Sequence, residues 1–502
     1  MTHTTIPLRI RVLSPVHIGT GEAYEPYRYK IHANNGSCEV YVYDSLTLLE
    51  NLTDRERFEA LCTRGDIKAL KDLAALIQRE PLRDVQPLIK LRAPEQFRAD
   101  FNQMLTSEGT NFKQYALDAT VHSPLDSRPI IPGSAVKGAF RTAYINRLAQ
   151  EEGNRRGLNN NGRKLEEALL SFNSRHELYK DPFRLVTFSD FRPVGVAHTK
   201  IVYAVNRKKH PSERAASGPH QILETIAEDA EFFGTVTIKD PLHGRHNNGQ
   251  AHTIKYSELL SGLKEFYSGE HRRENEELET AGLYPFNPPE IAGNYFLCRI
   301  GRHSGAECVT VEGHRRIKIK TGRTSSVTSD KSTTFWLAAE ERSPRDVHRL
   351  TPFGWVAVTI LTDDQYKEYL EEEQRFLESA DKQDRAHADL LRSRLQQRQA
   401  EQEARRREQE QEERRAAELK EEKEKRKTLP QIEQYILRFD DPDFEEQEAH
   451  KFYRELDGFE PDQQVRLAEK LKDYFIKIGK WEGNLAPKQK KKVEKLKAVL
   501  GE

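Results

Sequence analysis

The run Ile131 to Arg141 (IPGSAVKGAFR) has residue types and a spacing suited to gripping a phosphate. Pro132-Gly133 makes a turn, and Ser134 is a candidate N-cap. Ala135, Val136, Ala139, Phe140, Ala143, Tyr144 and Leu148 then recur at helical spacing. A helix start exposes unpaired N–H groups and partial positive charge, so an anion sits well there. Gly133 lets the backbone approach such an anion, and the Ser134 hydroxyl can donate to it. Lys137 and Arg141, four apart on one helix face, would extend the grip along a sugar–phosphate chain. A capped helix carrying two solvated cations fits these residues equally well.

Other chemistries find less support. His17 to Gly21 is a second glycine-bearing turn, directly after a strand, where a lone histidine is ordinarily a structural hydrogen-bonder. No GxxxxGK[ST] phosphate loop follows a strand, so nucleotide hydrolysis is not indicated. No HExxH or carboxylate–histidine cluster points to a metal enzyme. Cys38, Cys62, Cys298 and Cys308 are scattered without a CxxC pair, which favours free thiols over a zinc site. Neither a metal nor a cofactor is expected.

With 80 basic and 80 acidic residues the chain has no net charge, so a globally basic protein that coats nucleic acid indiscriminately is not indicated. Any nucleic-acid site must come from local clustering of Lys and Arg. Met1 to Pro7 is polar and no stretch is apolar enough to span a bilayer, which predicts a soluble, cytoplasmic protein without a membrane partner.

The elements that would position these residues alternate in type. Ile6, Leu8, Ile10 and Val12 have strand periodicity, as do 39–43, 184–188, 200–205, 233–238, 296–300 and 355–361. Residues 55–112 read as mostly helical. Asn206 to Gly218 and much of Gly322 to Thr333 read as polar, mobile loops. Strands and helices in no regular βαβ order predict an α+β body over residues 1–361. From 362 to 429 the chain is dense in both charge signs without Pro or Gly until Pro430, which predicts a long solvated helix with weak coiled-coil positions. Residues 430–502 predict a small helical domain ending in the basic run Lys488 to Lys492.

Six motifs in order carry a resemblance: SPVHIGTGE (Ser14–Glu22), IPGSAVKGAFR (Ile131–Arg141), TFSDF (Thr187–Phe191), FFGTVTI (Phe232–Ile238), RIGRHSG (Arg299–Gly305) and TPFGWVAV (Thr351–Val358). Together they resemble the RAMP superfamily of CRISPR effector proteins, and within it the subunit type that caps the crRNA 3′ end in the type III-A Csm complex. The resemblance implies two ferredoxin-like, RRM-like modules with glycine-rich loops along the RNA path. By motif, Gly133, Ser134, Lys137 and Arg141 would contact the crRNA backbone. His17, Gly19 and Gly21 would line the same groove, and Arg299, Arg302 and His303 would lie near a second glycine-rich loop.

The implied role is a non-catalytic RNA holder that supports crRNA maturation and complex assembly in antiviral defence. Its implied partners are crRNA, a backbone RAMP subunit, small helical subunits and, in the wider assembly, target RNA. RAMP subunits that cut target RNA carry an aspartate in a loop upstream of the Pro-Gly-Ser helix. Here none occurs between Gly21 and Tyr43, although Asp44, Asp118 and Asp126 also precede the helix. The alternatives are a RAMP endoribonuclease processing precursor crRNA, with His17 or His303 as general base, and a RAMP subunit of another type III complex. The resemblance names no partner for residues 362–502.

Overall fold

The structure, a computed structural model, describes residues 3–34, 37–82, 85–107, 112–153, 161–210, 220–240, 253–291, 293–322, 324–483 and 485–502. Many side chains of the long helix after 380 fall outside that description; of the loop expected at Asn206 to Gly218, Asn206, Arg207 and Lys208 instead continue strand Thr199–Lys208, paired with Thr334–Ala339, and 211–218 lie outside the described residues. The fold is α+β in the body and helical towards the C-terminus.

Strand His3–Val12 lies at the centre of a six-stranded sheet. It pairs antiparallel with Glu231–Lys239 on one side and Trp355–Ile360 on the other. Val186–Phe188 extends the first side and Phe296–Arg299 the second. Helices Gly133–Glu152 and Tyr256–Thr280 contribute to the same core. In chain order the strand, helix, two strands, helix and closing strand produce the ferredoxin-like arrangement. The period-two signal of the first strand is realised directly: Leu8, Ile10 and Val12 are fully buried. Each such side chain contributes about 1.5–3 kcal/mol of transfer free energy.

A nine-stranded second sheet runs in the order Gly19–Tyr24, Leu117–Thr120, Gln221–Ile226, Thr199–Lys208, Ile89–Ala93, Ser37–Val42 and Tyr29–Asn34. Thr334–Ala339 also pairs along Thr199–Lys208 and carries Thr351–Pro352. Helices Ile67–Arg79 and Glu95–Thr106 contribute residues such as Ala74, Phe97, Phe101 and Met104 to its core.

Two further sequence expectations need correction. The helical reading of 55–112 holds for three helices but is interrupted by strand Ile89–Ala93, a short segment that alternates buried and exposed between its helical neighbours. The stretch 322–333 is not all loop, because Ser326–Ser329 pairs with Ile317–Lys320 in a separate hairpin.

Helix Asp363–Thr428 begins on the body. Tyr366 and Tyr369 pack against Phe233, and buried Glu373 takes a two-pronged bond from Arg128 at 2.6 and 3.0 Å. The compact units divide at 382/383. The second unit has its own core: Ile432, Phe452, Leu467, Leu471, Phe475 and Leu496 are buried among four helices that end in Pro487–Leu500.

Candidate nucleic-acid interface

Three glycine-bearing segments, far apart in sequence, are stitched together at the ends of the central strands. Gly354 donates its N–H to Pro15 O (2.9 Å), Ile300 donates to Gly354 O (2.9 Å) and Arg302 donates to His17 O (2.8 Å). Ser14 Oγ accepts from Trp355 N at 2.9 Å. The close approach requires glycine at two points. A Cβ at Gly301 (φ +82°) would lie 2.5 Å from His17 O, and one at Gly354 (φ +87°) 2.3 Å from Ile300 O. Motifs around 17, 301 and 354 therefore build one loop cluster, with Gly19, Thr20 and Gly21 exposed at its rim.

His17 sits beneath that rim, fully buried, with Nδ1 2.7 Å from Glu224 O. Because a carbonyl only accepts, Nδ1 carries the proton and Nε2 is a lone pair without a protein partner. Burial lowers its pKa, so it is neutral. The Glu224 carboxylate is also buried, accepting from Thr120 N (3.1 Å) and lying 2.7 Å from His122 Nε2. Burial pushes His122 down, but the hydrogen bond and charge of Glu224 outweigh it and leave the pKa raised.

Arg302 is half-exposed and pairs with Asp118 at 2.8 Å. His303 adopts φ +64°, lies between the rings of Trp336 and Phe353, and has Nε2 3.1 Å from Gln221 Oε1. Burial, with help from Arg302 and His17, pushes its pKa down to about 3. Such an imidazole has little proton affinity at neutral pH. Arg299 is 3% exposed and donates to Glu274 (2.6 Å) and Phe353 O (2.8 Å), stacking over Trp355. It braces the cluster from inside and does not reach its surface.

The Gly133 helix differs from its sequence reading. Its first residue is Gly133, with Pro132 at the cap position, and Ser134 makes no capping bond. Asp190 of the TFSDF motif accepts from Gly133 N at 2.8 Å, so a carboxylate of the chain itself already occupies the anion seat. A Cβ at 133 would lie 2.4 Å from Phe188 O, which explains the glycine. Lys137 Nζ donates to Val186 O (2.8 Å), and Arg141 binds both Asp181 oxygens at 3.0 Å and Glu166 at 3.1 Å. The two cations expected to extend a phosphate grip are committed within the fold.

A group that the sequence reading missed lies in the hairpin. Lys318 and Lys320 alternate with Ile317 and Ile319, so they share one face, opposite Thr328 and Ser326. Arg316 precedes them in the same phase, and all three are exposed. Among the described residues none has a carboxylate partner. The alternation in Arg316-Ile-Lys-Ile-Lys320 was a strand signal, concealed by the polar residues that follow.

Asp126, upstream of the Gly133 helix, is taken by Arg128 at 2.6 Å. Among the described residues no cluster of three or more His, Cys, Asp or Glu could hold a metal, and no helix is long and apolar enough to cross a membrane.

The ferredoxin-like sheet and its glycine-bearing loop cluster define the class of module, and the family match agrees in extent with the body. Residues 9–383 match the RAMP superfamily model, and the chain belongs to that superfamily. No curated protein matches it. Among solved structures it is similar to a chain in the cryo-EM structure of a Csm–crRNA–target RNA ternary complex in a type III-A CRISPR-Cas system. The identity there is 19% and the TM-score 0.46, covering 71% of this chain and 100% of that one. The crystal structure of T. onnurineus Csm5 is similar at 17% identity and a TM-score of 0.42, covering 70% of this chain and 100% of that one.

Proposed function

We propose that the chain is a non-catalytic crRNA-binding subunit of a type III-A Csm effector complex, capping the crRNA 3′ end and supporting crRNA maturation and assembly. The observation that carries this reading is the loop cluster. Of the six motifs that carry the resemblance, RIGRHSG and TPFGWVAV, which narrow it to the cap subunit type, interlock with SPVHIGTGE into one place with an exposed glycine rim. RNA would follow the rim at Gly19, Gly21 and Arg302, with Ser134 exposed on the neighbouring motif. His17, Arg299 and Gly133 hold the backbone in shape, and Arg316, Lys318 and Lys320 supply unpaired positive charge. The partners are crRNA, the backbone RAMP subunit and small helical subunits, with target RNA in the loaded complex.

The test is a photo-crosslink from the 3′-terminal nucleotide of crRNA in the assembled complex. This reading expects the label on this chain, and a label exclusively on other subunits would overturn the capping role. The endoribonuclease alternative draws on one observation, the unpartnered Nε2 of His17. Metal-free, site-specific cleavage of repeat RNA that disappears in His17→Ala would put that alternative in its place.

A further inference from the structure

The C-terminal unit uses its cations in two ways. In its first half they are matched: Arg438 bonds Asp441 and Glu448 at 3.0 Å, Arg466 bonds Glu433 at 2.6 Å and Lys470 bonds Asp440 at 3.2 Å. From Lys477 to Lys497 the chain carries eight lysines against two glutamates, Glu482 and Glu494. Among the described residues neither glutamate forms an ion pair, and Lys488, Lys490 and Lys491 are exposed without a carboxylate partner. We infer that this lysine face is a second nucleic-acid contact, one that takes the phosphate backbone of a single strand whatever its sequence, independently of the RNA-holding reading of the body.

The packing of two helices concentrates the charge instead of offsetting it. Lys492, on helix Pro487–Leu500, donates to His450 Nδ1 of helix Glu446–Glu455 at 3.1 Å, and Gln489 ties the start of its helix to Lys480 O at 3.1 Å. Lys480 shares Glu446 with His450. Burial lowers the pKa of Lys492, and Arg454, Lys480 and Lys488 lower it further against the pull of Glu446. Four cations thus surround a single carboxylate. Stability of the fold does not favour such a placement. Like charges four apart on a helix, as at Lys488 and Lys492, repel. The first turn of a helix favours acidic residues, and here it has none. A polyanion relieves both.

What the face lacks decides the kind of partner. Protein interfaces have an apolar core and are depleted in Lys. Neither helix exposes a large apolar side chain among the described residues, because Val493 and Leu496 are buried in the unit's own core. An acidic protein would find charge here without an apolar anchor. The nearby rings are covered as well: Lys492 and Lys495 lie over Tyr453 at 5.7 and 5.5 Å, and Lys472 and Lys497 lie over Trp481 at 5.7 and 5.9 Å. Bases therefore find no stacking platform, and contact stops at phosphate. Lys488 and Lys492 stand about 6 Å apart along the helix axis, a stripe that closely spaced phosphates can follow.

The test compares full-length wild type with a variant in which Lys488, Lys490, Lys491 and Lys492 are changed to Gln. Both are titrated with labelled oligouridylate and oligothymidylate of equal length over a range of salt. The variant should lose about 3 from the slope of log K against log salt with either strand, as four contacts at roughly 0.7 each require. Its melting temperature should be no lower, and Arg at the same four positions should keep the slope. Lys470 and Lys472→Gln, which removes cations already paired with Asp440 and Glu502, should leave the slope unaltered. An unchanged slope in the folded Gln variant would overturn the lysine face and leave the reading of the body standing. A loss with one strand only would overturn backbone recognition. Poly-glutamate binding through these four lysines, with neither strand affected by their loss, would assign the face to an acidic protein instead. If the reading of the body fails, Arg316, Lys318 and Lys320→Gln leaves the slope unmoved while the loss at the four lysines persists.

Discussion

The helix that begins at Gly133 and the hairpin from Ile317 to Ser329 both carry cations at regular spacing, but they use them oppositely. On the helix, Lys137 and Arg141 are tied to Val186 O, Asp181 and Glu166, and the N-terminal N–H of Gly133 is tied to Asp190. On the hairpin, Arg316, Lys318 and Lys320 are exposed without carboxylate partners among the described residues. The helix holds the body together, and the hairpin leaves its charge available to a polyanion. If the chain holds RNA as proposed, the family motif at Gly133 marks scaffold, and the groups that meet the ligand are less regular in sequence.

The largest effect should separate two glycines. Gly133→Ala forces a Cβ against backbone at 2.4 Å and should destabilise the chain by about 3 kcal/mol or more. Gly322→Ala meets only the movable Ser325 hydroxyl and should stay within about 0.5 kcal/mol. Thermal melts of the two variants give the contrast directly, and equal losses would break the comparison.

Next in size is Arg141→Gln, which leaves Asp181, 15% exposed at its side chain, without its cation. A loss of about 1–3 kcal/mol is expected in denaturant melts. The hairpin change Arg316, Lys318 and Lys320→Gln should leave the same melts unmoved.

Acid should act through the loop cluster. The pKa of His303 lies below its ordinary 6.5, at about 3, so the folded state favours the neutral ring. The stability this contributes is fully present above pH 6.5 and is lost progressively as pH falls towards 3. His303→Gln should flatten that limb by up to one proton's worth of slope relative to wild type. Parallel curves would mean that the ring is more accessible than its packing implies.

The smallest effect belongs to the helix start. Asp190→Ala should cost about 1 kcal/mol, as loss of a capping carboxylate does, whereas Ser134→Ala should fall within about 0.5 kcal/mol. Reversed magnitudes would return the capping role to Ser134.

Legibility in the sequence followed local pattern. The strand at His3–Val12 and the break at Pro430 could be read because periodicity and Pro act within a few residues. Helix Tyr256–Thr280 escaped notice because its inner face carries Glu270 and Glu274, whose burial is offset by arginines distant in sequence, Arg315 and Arg299. Strand Gln221–Ile226 escaped because Glu224, fully buried, interrupts its apolar run while bridging Thr120 and His122. At the site, motif order located the glycine cluster, but no local rule identifies Asp190 as the cap for Gly133 or Glu274 as the partner of Arg299. Those pairings exist only once the sheet has brought the segments together.

The central claim, that the chain holds RNA through charge left unpaired in the fold, is tested most directly by the salt dependence of single-stranded RNA binding to the full chain. Each phosphate contact on a single strand contributes roughly 0.7 to the slope of log K against log salt. Wild type should show a clear linear dependence. The Arg316, Lys318 and Lys320→Gln variant should lose about 2 from that slope, and changing Lys137 and Arg141 to Gln should leave it unaltered once the protein is shown to be folded. An unchanged slope in the hairpin variant, or a loss confined to the helix variant, would contradict the account.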